Sequence, residues 1–153
     1  MFRLLLVVAL LVVSFPAVGH AQRDSVIGIW KLNLAKSKFA PGTAPTDNTV
    51  TVEPAGQGIR VTSTTVRARK RIVVHYTAYL DGQDYPVTGS PDYDMVSLKR
   101  NGVTVEGTRK KNGEVVQTYQ RVVSEDGKTM TVATTGKDAS GRTLNSVAVF
   151  DRR

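Results

Sequence analysis

The sequence predicts an all-β chain, an up-and-down antiparallel β-barrel of about 8–10 strands that follows an N-terminal signal peptide. Three observations point there. From residue 27 onward, short stretches of alternating apolar and polar residues succeed one another, each ended by a turn signal. No stretch of useful length carries the apolar spacing of a helix. The first residues, by contrast, form one apolar run behind a positive charge.

That run reads as a leader. Met1-Phe2-Arg3 gives the positive start, Leu4 to Phe15 is apolar apart from Ser14, Pro16 ends it, and Gly19-His20-Ala21 puts small residues at the outer positions of a cleavage site. The run is shorter than the roughly 20 apolar residues that span a bilayer. There is no cysteine in the chain, so no thiol follows the run for lipid attachment and no disulfide can form. The expectation is a signal peptide over 1–21 and one domain over 22–153, exported to the periplasm or secreted, without stable membrane insertion. Stability must then come from burial and sheet hydrogen bonds.

The formal charge is +8, of which the leader contributes only Arg3. A basic balance favours anionic partners. The charges are scattered along many strands, however, which also suits an ordinary solvated surface.

The alternation places strands at 27–34, 48–54, 58–67, 71–80, 84–88, 93–99, 103–110, 114–123, 128–135 and 143–150. Between them stand Gly56-Gln57-Gly58, Asp81-Gly82, Asn101-Gly102, Asn112-Gly113, Asp126-Gly127 and the stretch from Gly136 to Gly141. Asn-Gly and Asp-Gly tolerate the positive φ of tight hairpins. The connection 35–47, with Pro41, Gly42 and Pro45, is the longest gap after the leader.

Register follows from loop length. Reading Lys111-Asn112-Gly113 as a three-residue loop sets Val105 opposite Tyr119 and Arg109 opposite Val115. Treating Arg100-Asn101-Gly102 likewise sets Met95 opposite Gly107 and Ser97 opposite Val105. The inward face is then Tyr93, Met95, Val103, Val105, Val115, Tyr119 and Val123, with Arg109, Gln117 and Arg121 among them. Met130 and Val132 join that face if Ser124 to Gly127 is a four-residue loop, because a slip of one residue turns every later side chain over. Earlier strands add Val50, Val52, Ile59, Val61, Ile72, Val74, Tyr76, Ala78 and Leu80. Gly107, Ser97 and Ala78 are expected to leave room inside.

Gly28-Ile29-Trp30 in the first strand and Val147 to Arg152 in the last resemble the calycin superfamily of lipocalins and fatty-acid-binding proteins. The stretches Gly28-Ile29-Trp30-Lys31-Leu32-Asn33-Leu34-Ala35-Lys36-Ser37-Lys38-Phe39 and Tyr85-Pro86-Val87-Thr88-Gly89-Ser90-Pro91-Asp92 are also similar to a group of small exported bacterial proteins, a likeness that implies no activity. The calycin resemblance implies that Trp30 packs across the closed end of the barrel with Arg152 stacked over it, and that Gly28 belongs to the same closure. The chain departs from lipocalins in having no disulfide and no C-terminal helix. Ten segments suit fatty-acid-binding proteins better than the eight of lipocalins, although the prolines in 35–47 argue against the two lid helices of that group.

Catalytic chemistry is sparse. The only histidine after the leader, His75, alternates with Val74 and Tyr76 and so falls on the outer face. No nucleophile-elbow, zinc-protease, phosphate-loop or dinucleotide motif is present. Asp92-Tyr93-Asp94 and Glu125-Asp126 read as solvated turns. The densest charge, Arg67-Ala68-Arg69-Lys70-Arg71, sits at a hairpin tip. Arg67, Arg69, Lys70 and Arg71 there would suit an anionic surface, or act only as solvated charges that discourage edge pairing. Nucleic acid is not expected, since aromatic residues do not interleave the basic clusters.

These readings favour a barrel that holds a small amphipathic or anionic ligand, with Tyr76, Tyr93, Met95, Arg109, Gln117, Tyr119 and Arg121 as the interior candidates and no metal or cofactor. The alternative is a filled barrel serving as an envelope protein-interaction module. An enzyme would need an inward carboxylate beside tyrosine or arginine, and Glu106, the nearest candidate, turns outward. Cleavage is expected after Ala21, so N-terminal sequencing of the secreted form should begin at Gln22; recovery of residues 1–15 in it would refute export by this leader.

Overall fold

The computed structural model describes residues 24–153, so the leader lies outside the described residues. The described residues fold into ten strands: β1 (Gly28–Leu32), β2 (Asp47–Ala55), β3 (Gly58–Arg67), β4 (Lys70–Ala78), β5 (Asp81–Thr88), β6 (Met95–Asn101), β7 (Thr104–Lys111), β8 (Glu114–Val123), β9 (Thr129–Lys137) and β10 (Thr143–Arg152). Each pairs antiparallel with its chain neighbours, and β1 pairs with β10 to close the barrel. Closure removes both sheet edges. A short 3-10 turn, Leu34–Lys36, follows β1.

The ring has one thin seam. Between β4 and β5 only His75–Thr88 and Tyr76–Val87 pair, whereas β3 and β4 pair without a break from Ile59–Ala78 to Arg67–Lys70. Beside the seam Gly89 has φ +82°, and a Cβ there would strike the Val73 carbonyl. Asp81-Gly82 does not make the turn expected of it. The chain reverses at Tyr79-Leu80, and Asp81 and Gly82 open β5, irregularly paired with β6.

Loop length decides which faces point inward. The β7–β8 turn is the two-residue pair Asn112-Gly113, with φ +51° and +84°, rather than a three-residue loop. A bulge at Arg109/Lys110 inserts Val116 and restores the parity, so Gln117, Tyr119 and Arg121 face inward as expected, each shifted by two positions. Val105 stands opposite Arg121, and Val115 lies exposed. The β6–β7 turn is also shorter than expected, Gly102-Val103 between paired Asn101 and Thr104, and there no bulge compensates. Val96 and Leu98 therefore fill the interior, while Met95 and Ser97 turn outward and Val103 sits 80% exposed at the tip. Met130 and Val132 do reach the inner face, through a longer turn that pairs Val123 with Met130.

Turns alternate between two poles. At one pole, beside the start of β1, Trp30 is wholly buried and its indole Nε1 donates to the Val26 carbonyl at 2.7 Å. Trp30 pairs across the closure with Arg152, whose guanidinium lies 4.2 Å from the ring centroid. That guanidinium also donates to the carbonyls of Gly127, Ile27 and Ser25. Gly28, at φ +144°, leaves the space this group occupies. Val52, Ile59, Val61, Ala78, Val105, Met130 and Phe150 complete the core near this closed end. Trp30→Ala is expected to lower unfolding free energy by about 3–5 kcal/mol in a denaturant titration, as for large aromatic truncations in a core; unchanged melting would refute the role given to the indole.

Candidate functional site

Toward the other pole the inward side chains change character. On β3 the inner series runs Ile59, Val61, Ser63, Thr65, Arg67; on β2 it runs Val52, Val50, Asn48; on β9 Met130, Val132, Thr134. Small and polar groups there leave a cavity of about 180 Å³. Ile72, Val74, Val132, Leu144 and Ala148 give it apolar wall, while Ser63, Thr65, Thr134, Ser146 and Gln117 give it hydroxyl and amide groups.

Loops roof the cavity. The 33–46 connection contributes Phe39, Thr43 and Pro45, and the β5–β6 connection contributes Ser90, Pro91 and Asp92. The Arg142 guanidinium holds the first roof, donating to the Gly42 carbonyl at 2.9 Å. Arg142 is itself anchored on Asp138 through its Nε at 2.7 Å. The second roof is stitched by its own aspartates: Asp92 accepts the Ala139 N–H at 2.8 Å and Asp94 accepts the Asn112 N–H at 3.0 Å.

Arg109, on β7, enters the cavity wall between two phenols. Its guanidinium carbon lies 4.8 Å from the Tyr93 ring centroid and 4.5 Å from that of Tyr119, distances at which cation–π attraction operates. Its Nη1 donates to Gln117 Oε1 at 2.9 Å, and the Gln117 amide donates onward to the Lys137 carbonyl at 3.0 Å. Tyr119 occupies the space over Gly107, where any Cβ would collide with its ring. The room expected at Gly107 is therefore already filled. Ala78 packs in the closed-end core, and Ser97 faces out, so the void arises on β2, β3, β9 and β10 instead.

Arg121 lies just beyond the cavity. Its cross-strand neighbours are Val105 and Val132, and Val132 lines the void. It is only 6% exposed, its Nη2 has no hydrogen-bond partner, and it makes no ion pair among the described residues. Burial, reinforced by Tyr119, pushes the Tyr76 hydroxyl well above the usual phenol value. Burial likewise raises Tyr93. Both stay neutral hydroxyls at physiological pH.

Of the seven interior candidates, Tyr93, Arg109 and Gln117 line the cavity, Tyr76, Tyr119 and Arg121 face the interior without lining it, and Met95 lies outside. It stands outside because the residue directly opposite Arg109 is Val96. Arg67 also departs from its expected place on a solvated tip: it is partly buried and lines the cavity. Arg69, Lys70 and Arg71 are exposed around it. His75 is exposed, beside the Thr62 hydroxyl. Glu106 faces out as expected, whereas Asp92 does line the cavity. No group of three or more His, Asp or Glu residues among the described residues could hold a metal ion.

No family model and no curated protein matches the sequence. Solved structures do match. A point mutant of the REP1-NXSQ fatty acid transporter superposes with a TM-score of 0.55 at 15% identity, over 85% of this chain and 99% of that one. Zebrafish ileal bile acid-binding protein in complex with cholic acid gives 0.52 at 10% identity, over 84% and 99%.

The Asp138 clasp carries a pH signature. Burial works to raise its pKa, but hydrogen bonds from Ser140 and Arg142 together outweigh it and hold the carboxyl at about 2, below the ordinary 3.8. A depressed folded value means stabilisation that is present above the unfolded value and lost as pH falls through the folded one. Asp138→Asn should therefore lower Tm at neutral pH, and the deficit should vanish between about pH 4 and 2; a deficit independent of pH in thermal melts would refute this. The closed ring of ten consecutively paired antiparallel strands and the superposition on these two solved structures show a calycin-type fold.

Proposed function

We propose that this protein is an exported carrier or sensor barrel that binds a small amphipathic anion, its acid group drawn to Arg121 and Arg109 and its apolar part held in the cavity. Arg121 is the observation that carries the reading. A buried guanidinium without a counter-charge is costly, by several kcal/mol where no partner compensates it. A carboxylate or sulfonate entering beside Tyr76 and Tyr119 supplies what the protein does not. Arg109 needs less help, since two phenol faces and Gln117 already steady it. The fatty acid and bile acid named with the two structural neighbours are amphipathic carboxylates, which supports the same choice of ligand chemistry. The cavity of about 180 Å³ is below the roughly 300–1,000 Å³ of sites for drug-sized ligands, favouring a compact one.

The filled-barrel alternative draws on the occupied space at Gly107 and on the exposed Arg69-Lys70-Arg71 tip, which suits an acidic protein or surface. Arg121→Met separates the two. Replacing an unpaired buried charge by an apolar chain is neutral or stabilising when the charge has no structural partner. The variant is thus expected to melt at or above the wild-type temperature while losing at least about tenfold in affinity for short fatty acids, measured by calorimetry. Trp30 does not line the cavity, so its fluorescence is the wrong reporter. A variant that melts lower and binds equally well would refute the ligand reading.

A further inference from the structure

Arg67 and Arg109 line the same cavity from different sides. Arg67 ends β3 at the roofed pole, and Arg109 lies near the top of β7. Going round the ring, β4, β5 and β6 separate these strands one way and β8, β9, β10, β1 and β2 the other, so they form nearly opposite walls. Arg67 has a buried Nε without a hydrogen-bond partner and makes no ion pair among the described residues. Arg109 has a single protein hydrogen bond for its five donors. The wall between them is largely apolar, with Ile72 and Val74 on β4 and Val132, Leu144 and Ala148 on β9 and β10.

The lining holds one opposing charge, Asp92, and one of its oxygens already accepts the Ala139 N–H. Two guanidinium groups against one carboxylate leave the cavity net positive. The exposed Arg69, Lys70 and Arg71 add to that potential at the entrance, while Lys110 is offset by Asp84 and Arg142 by Asp138. A ligand with a single acid group satisfies one wall and leaves the other cation unmatched.

We propose that the cavity takes a short ditopic anion, an apolar spacer with an acid group at each end, held between Arg109 on one wall and Arg67 on the other. This rests on the reading above that the barrel binds an amphipathic anion, and it narrows that reading to a class, the short α,ω-dicarboxylates and their close analogues. The small volume limits the spacer, and the facing arginines set the two ends. Guanidinium groups suit this task because their forked donors take carboxylates in pairs of hydrogen bonds.

Calorimetric titration of wild-type protein with octanedioate, octanoate and octyl phosphate tests it. Octanedioate is expected to bind at least about tenfold more tightly than octanoate, as one further charge-assisted contact implies. Octyl phosphate, with both charges at one end, should not match octanedioate. Arg67→Gln should bring octanedioate down to the octanoate level and leave octanoate unchanged. Equal affinity for the monoacid and the diacid overturns the proposal, as does octyl phosphate equalling octanedioate or a diacid preference that survives in Arg67→Gln. In each of those cases binding persists, and the broader reading stands. Absence of binding by all three removes both.

Discussion

Everything in this molecule depends on the meeting of its first and last strands. Only three positions pair there, from Trp30–Arg152 to Leu32–Phe150, yet they turn a sheet into a ring. The chain has no cysteine, so no covalent link holds the two ends together. Arg152 does this instead by non-covalent means: it covers the indole and gathers three carbonyls, from the lead-in to β1 and from the β8–β9 turn. With Arg152 itself exposed, a cation–π contact of this kind is worth about 0.5–1 kcal/mol. The larger gain is indirect, because β1 and β10, otherwise the two edges of an open sheet, each acquire a second neighbour.

A barrel closed so firmly at one pole can tolerate polarity at the other. The apolar core near Trp30 supplies the burial that a small domain needs, and it leaves the roofed end free to hold arginine, glutamine, serine and threonine. Those groups weaken packing where they stand. Deeper in the barrel Arg121 goes further still, a cation set among Val105 and Val132. Departures from the pattern that builds the rest of a fold tend to mark the places where a protein works.

Much of this was legible in the residues. Strand after strand could be drawn from alternation and turn chemistry, and the Gly28/Trp30/Arg152 positions could be paired from their place in the first and last strands. What failed was loop counting. Asn101-Gly102 and Asn112-Gly113 look alike, and sequence alone suggests three-residue loops at both, but both hairpins have two-residue turns. The extra residue Val116 offsets one miscount and nothing offsets the other, so Arg109 and Gln117 keep the expected inward face with partners shifted by two, and Met95 does not. A bulge has no strong sequence signature, since it depends on how two strands twist against each other. The site was visible in part. The inner series of β3, from Ile59 to Arg67, declines from aliphatic to hydroxyl to cationic, a signal available from parity alone. The roof was not visible, because Phe39, Thr43 and Asp92 reach the cavity from loops without periodicity.

The position of the chain ends has a practical consequence. β1 starts and β10 finishes at the indole-capped pole, and Arg153 still bonds its N–H to the Ile29 carbonyl there. Both termini of the barrel therefore emerge at the end opposite the cavity roof. A purification tag, a surface linkage or a fused partner joined directly ahead of β1 or after Arg153 attaches at the base and leaves the roofed end facing away from its point of attachment. The barrel is oriented for display: immobilised at its base, it presents the cavity end to the surrounding solution.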